Sequence, residues 1–265
     1  MPSLEQNVKW WGNEQGYSWN QQGDEWSDAW GGVDMQWIGS LLPRIHSYLP
    51  AATILEIAPG YGRWTQFLKG LCDRLVAIDL NANCIDYCKK RFESDSNLTY
   101  HVNDGRSLNA VADRSVDLLF TFDSLVHAES DVMAAYLAQF PRVLAPDGVA
   151  FVHHSNYAKC RPTGLIERLA TRSERHANRH SRALSVSADS IAEMAEQNGL
   201  RCVSQEIVNW GGAVLNDCFS VITPRGSKQD RQPVRLVNRG FMTEADGLKA
   251  LSKLYGAGAT HNSSN

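Results

Sequence analysis

The chain has 265 residues, 43% of them hydrophobic and 21% charged, which suffices for one full α/β core with additions. Its formal net charge of −3 provides no broad basic face, which argues against a nucleic-acid partner. The six cysteines show neither a Cys-x-x-Cys pair nor zinc spacing, and no apolar run is long enough to cross a bilayer or resembles a signal peptide. Reduced thiols in a cytoplasmic protein without a membrane partner are therefore expected.

Residues 7–32 are unusually aromatic, with Trp10, Trp11, Tyr17, Trp19, Trp26 and Trp30 set among Gly, Asn, Gln and Asp. Such a stretch is too aromatic for a disordered tail. It is expected to fold as a loop and short helices over the sheet edge, where its rings suit a sugar face or a sulfonium; the alternative is a plug that seals the edge. Residues 33–49 read as an amphipathic helix with Met35, Trp37, Ile38, Leu41 and Leu42 inward, stopped by Pro50.

Next comes an apolar run over residues 54–58 with Glu56 embedded, then a turn at Gly60-Tyr61-Gly62. A helical pattern over 61–71 places Trp64, Phe67, Leu68 and Leu71 on one face. Strand, glycine turn and helix form the opening unit of a nucleotide-binding α/β sheet. Two glycines and a strand carboxylate argue against a pyrophosphate cradle, which needs a third glycine. Residues 75–79 form a second strand ending in Asp79, placed either to accept bonds from two ribose hydroxyls or to cap the helix over 82–92. A third strand, 98–102, ends in Asn103-Asp104-Gly105; Asp104 either reaches an adenine amino group or makes a turn.

A fourth strand, 116–122, leads into Asp123-Ser124-Leu125-Val126-His127, and a helix over 131–140 follows. After a turn, a fifth strand, 149–152, ends in His153-His154-Ser155-Asn156. Chain order thus puts His127 and the His153/His154 pair around one mouth. Residues 161–184 read as an insertion rich in Arg and His, either a solvated helix face or an anion-binding or acceptor-site lid. A helix over 187–199, strands over 200–208 and 217–223, a polar linker to residue 232 and a helix over 244–255 complete the pattern. That last helix is expected to pack on the N-terminal cap or on a second copy in a homo-oligomer, and residues from 261 on read as a frayed tail.

The order E-I-A-P-G-Y-G, A-I-D, N-D-G, D-L-L-F-T-F-D resembles the class I S-adenosylmethionine-dependent methyltransferases over roughly residues 41–155, and again near Thr223. Ala58 and Pro59 stand where the family commonly has its first glycine region; Ala58 is small enough to pack beside the methionine part of the cofactor. The resemblance implies a Rossmann-like, doubly wound, seven-stranded α/β sheet spanning residues 51–224, with an aromatic cap over 1–50 and a linker and helix over 225–265. It implies S-adenosylmethionine held by Glu56, Ala58, Gly60, Gly62, Asp79, Leu80, Asp104, Gly105 and Asp123. The W-G-G end of the cap, D-S-L-V-H-A-E and H-H-S-N are similar to bacterial methyltransferases acting on saccharide hydroxyls, including the mannose polysaccharide type.

The expectation is therefore an O-methyltransferase with a sugar or oligosaccharide acceptor. A hydroxyl needs a base, and His127, then His154, are the first choices. A divalent cation such as Mg, held by some of Asp123, His153, His154 and Asp217, is the second route. The alternatives are a phenol or natural-product acceptor, or a protein that binds the cofactor without turnover.

Overall fold

The computed structural model describes residues 4–11, 19, 21–160 and 182–256. Among them, one sheet runs in the order β3-β2-β1-β4-β5-β7-β6-β8. The strands are β1 (Ala51–Ile57), β2 (Cys72–Asp79), β3 (Leu98–Val102), β4 (Val116–Thr121), β5 (Leu144–Ser155), β6 (Leu200–Val208), β7 (Asp217–Pro224) and β8 (Val234–Asn238). All pairings are parallel except those of β7, which is antiparallel to β5 and β6.

The sheet is buried on both faces because its strands alternate between two apolar sets. Leu55, Ile57, Val76, Ile78, Leu119 and Val152 face one core. That side is covered by α6 (Ser130–Leu137), α7 (Phe140–Val143) and α8 (Ala188–Gln197). Ile54, Leu75, Leu118, Phe120, Phe151 and Phe219 face the other, with Trp30, Trp37 and Leu41 of the cap and Phe241 of α9 (Phe241–Tyr255). Ser187 caps α8 through a reciprocal bond with Ser190, the sort of N-terminus that a Ser-rich start favours.

The cap contains α1 (Leu4–Trp11), a 3-10 turn (Asp24–Trp30), α2 (Val33–Gln36) and α3 (Leu42–Ile45). The single helix expected over 33–49 is interrupted by a π turn at Trp37–Leu41 and tightens to 3-10 at His46–Tyr48. Arg44 ties the cap to the far side of the sheet with a two-pronged pair to Glu206 of β6, at 2.7 Å from both Nε and Nη2. Ser252 of α9 donates to the Gly31 carbonyl at 2.7 Å, so that helix packs on the cap.

Three sequence expectations are corrected. The sheet has eight strands, not seven: β8 joins the edge by parallel pairing with β6. Its Val234, Leu236 and Val237 remain at least half exposed, so no burial alternation announces it. The helix after the glycine turn is one regular turn, α4 (Thr65–Leu68). The fifth strand runs on through Ser155, so His153 and His154 lie inside β5, opposite Phe219 and Cys218 of β7. Most of the 161–184 insertion, including its Arg and His cluster, and the tail from 261 lie outside the described residues.

Candidate active site

A cavity of about 570 Å³ opens across the carboxyl ends of β1, β2 and β4. This is where doubly wound sheets bind ligands. One half is organised by the end of β2. Asp79 is buried and accepts N–H bonds from Gly60 at 3.2 Å and Asn81 at 2.8 Å. Burial outweighs those bonds and pushes its carboxyl up to about 6. Ala58, Ile78, Leu80 and Gly105 add apolar or bare-backbone wall beside it.

The glycine turn has two distinct duties. Gly60 has φ +58°, and a Cβ there would come within 2.9 Å of the Trp19 ring in the cap. Gly62 has φ +88° and does not line the cavity; its Cβ would sit 2.5 Å from Phe92, so this glycine lets the turn pack on α5 (Ala82–Arg91) and its end. Glu56 is likewise behind the wall. It accepts from Thr65 Oγ1 at 2.6 Å, its other oxygen has no partner among the described residues, and burial raises it to about 7.

The other half lies beyond β4. Asp123 adopts a left-handed φ of +59°, uncommon for a residue with a side chain. Its carboxylate is paired with Arg63 at 2.9 Å and lies 3.7 Å from Arg182. Burial alone would raise its pKa, but the two guanidinium groups hold it below the usual carboxylate range. His127, on the 3-10 turn Leu125–His127, is buried and packs against Trp11 with ring centroids 5.3 Å apart. Trp26, Trp30, Trp210, Phe122 and Met242 supply the apolar wall around this half.

Asp79, Ala58, Gly60, Leu80, Gly105, Asp123 and His127 therefore share the cavity. Four other expected site residues do not line it: Glu56, Gly62, Asp104 and His154. Asp104 is exposed and caps a turn, accepting from the Arg106 and Ser107 N–H groups at 2.8 and 2.7 Å. His154 points to the opposite face of β5 from His153, because successive strand residues alternate. Its ring nitrogens contact the Ser155 carbonyl and Ser220 Oγ, both at 2.8 Å, and burial lowers its pKa to about 4. For the same reason Asp123, His153, His154 and Asp217 do not converge as one ligand set. Among the described residues no group of three or more His, Cys, Asp or Glu side chains could hold a metal ion.

The sequence leaves Arg63 and Trp210 unmarked as site residues, and marks Arg182 only as the end of the basic insertion. Arg63 directly follows the glycine turn and could have been noticed there; Arg182 and Trp210 reach the site only through tertiary packing.

Comparisons with known proteins find the same fold. A family model described as a methyltransferase domain matches residues 54–148. The N-methyltransferase NodS from Bradyrhizobium japonicum WM9, solved with S-adenosyl-L-homocysteine, is 15% identical with a TM-score of 0.57, covering 85% of this chain and 100% of that one. An S-adenosylmethionine-dependent methyltransferase from Leishmania major is 11% identical with a TM-score of 0.58, covering 83% and 82%. A curated ribosomal RNA small subunit methyltransferase A from Coxiella burnetii is 31% identical over 52 residues, so the chain spans about a fifth (20%) of that relative.

The fold is thus that of the class I methyltransferases, and residues 54–148 match a methyltransferase-domain model.

Proposed function

We propose that the protein transfers the methyl group of S-adenosylmethionine to a hydroxyl of a sugar or oligosaccharide, with His127 as general base. The observation that carries this reading is one cavity with two unlike halves: a buried carboxylate at a β2 end, and a histidine among tryptophans beyond β4.

The residues fit the cofactor. Asp79 would accept hydrogen bonds from the two ribose hydroxyls, Ile78 and Leu80 would flank the adenine, and Ala58 and Gly60 would leave room for the methionine part. Bound there, S-adenosylmethionine supplies an electrophilic methyl on a sulfonium. His127 would take the proton of the acceptor hydroxyl, freeing that oxygen to accept the methyl group the bound cofactor would supply. Trp26 and Trp210 would offer flat faces for the C–H side of a pyranose, while Asp123 would offer lone pairs to its hydroxyls.

The test is transfer of labelled methyl to separate pools of glycans, small phenols, amines, RNA and protein, with and without chelator. Label in the glycan pool supports the reading, and loss of that label with chelator adds a divalent cation to the mechanism. Label confined to phenols keeps the chemistry and overturns the acceptor. Cofactor binding without label in any pool overturns turnover.

A further inference from the structure

Behind the acceptor half, three buried residues, His153, Arg182 and Asp217, close a ring with the partly exposed Asp123, each from a different part of the chain. The Asp123 backbone N–H donates to His153 Nδ1 at 3.0 Å. A nitrogen that accepts cannot carry the proton, so His153 is protonated at Nε2, which donates to Asp217 Oδ2 at 3.0 Å. Arg182 donates to the same Asp217 carboxylate with both prongs, Nε to Oδ1 at 3.0 Å and Nη2 to Oδ2 at 2.7 Å. The Arg182 Nη2 then lies 3.7 Å from Asp123 Oδ1, which closes the circuit. Asp217 and His153 are 0% exposed and Arg182 3%.

The ring grips Asp123 twice, once by its N–H and once by its carboxylate, at a residue with left-handed backbone. A strained conformation at a site persists only where its surroundings over-determine it. Burial penalises the Asp217 carboxylate, but Arg182 and His153 bring it down to about 2, so the ring stays charged and assembled. Arg182 also lies over the Trp210 ring, 5.4 Å from its centroid, which couples the ring to the aromatic wall. None of these contacts reaches the Asp79 half.

We infer that Arg182 is a positioning residue for the acceptor: through Asp217 and Asp123 it fixes where an acceptor hydroxyl is held, and it leaves cofactor binding alone. This rests on the methyl-transfer reading above. The groups facing the Asp123 carboxylate are Arg63 from the glycine turn and Arg182, with His153 on β5 and Asp217 on β7 behind them.

The experiment compares wild type with Arg182→Lys, which keeps the charge and loses the fork, and Arg182→Gln, on the acceptor pool the wild type labels. Cofactor affinity is read by calorimetry. In Arg182→Lys we expect cofactor affinity within twofold of wild type and an acceptor KM raised at least tenfold. In Arg182→Gln, Asp123 loses one of its two cationic neighbours, so at saturating cofactor the rise of acceptor KM on acidification should begin at higher pH than in wild type, with Lys restoring it in part. Should Arg182→Gln fail to fold, Asp217→Asn, which breaks the ring at the next link, is expected to raise acceptor KM in the same way. Unchanged acceptor KM and pH profile in the folded variants, or an equal loss of cofactor and acceptor affinity, would overturn the inference while the methyl-transfer reading stands. A wild type that neither binds S-adenosylmethionine nor labels any pool overturns both.

Discussion

Asp79 at the end of β2 and Asp123 beyond β4 are both little exposed and flank β1, yet their surroundings drive them in opposite directions. Asp79 has only N–H donors and is raised to about 6; Asp123 has two guanidinium groups and is lowered. The ribose hydroxyls need an ionised acceptor, so cofactor affinity should weaken as pH falls through about 6, and calorimetry across that range should show it. Asp79→Asn should remove that dependence and cost about 1–3 kcal/mol of binding at neutral pH. His127→Ala should keep cofactor binding and lower turnover by about 10²–10⁴-fold in the labelled-methyl assay; unchanged turnover would take His127 out of the mechanism. Glu56 acts on stability instead. Its folded pKa is raised from 4.5 to about 7, so its contribution is complete below 4.5 and lost as pH rises through about 7. Glu56→Gln should therefore match wild type in acid and gain about 1–3 kcal/mol in urea melts above pH 7.

Among the elements, the cap and the glycine turn define the cavity together. Trp19 stacks on Tyr61 at 4.5 Å between centroids and Tyr61 on Tyr87 of α5 at 4.0 Å, a pile of rings that fastens the cap to the cofactor half. An aromatic pair contributes about 0.5–1.5 kcal/mol beyond its area. Trp19→Ala should accordingly speed cofactor release by about 2- to 10-fold in stopped-flow, with little effect on the melting temperature. The element that misled sequence reasoning is β5. Two adjacent histidines at a strand end look like a pair around one mouth, but extension of the strand to Ser155 sends them to opposite faces. His153 joins the ring behind Asp123, and His154 enters the core with Ser220.

Over the whole molecule, the cap and the sheet are held as one body by Arg44, whose partner Glu206 also accepts from Asn238 of β8 at 2.9 Å. Both members of the pair are about five-sixths buried, at 16% and 17% side-chain exposure. Removing one partner of a buried pair costs up to about 3–5 kcal/mol, less where solvent reaches it. Arg44→Ala should lower stability by about 2–3 kcal/mol in urea, and a second, earlier transition by tryptophan fluorescence would mean that the cap has come loose from the sheet.

The alternation of apolar residues and the glycine turn were enough to read strands β1 to β7, their order along the chain and the placing of Asp79, Asp123 and His127 at carboxyl ends. Those features are local: a period of two, a turn that needs positive φ, and a carboxylate that ends an apolar run. β8 was illegible because an edge strand with exposed side chains carries no burial pattern. The dismissal of Glu56, Gly62, Asp104 and His154 from the cavity wall, and the arrival of Arg63, Arg182 and Trp210 behind or beside it, came from packing. A side chain's direction depends on where its strand stops and what lies across the sheet, and residues 123, 153, 182 and 217 meet only once distant segments are folded together.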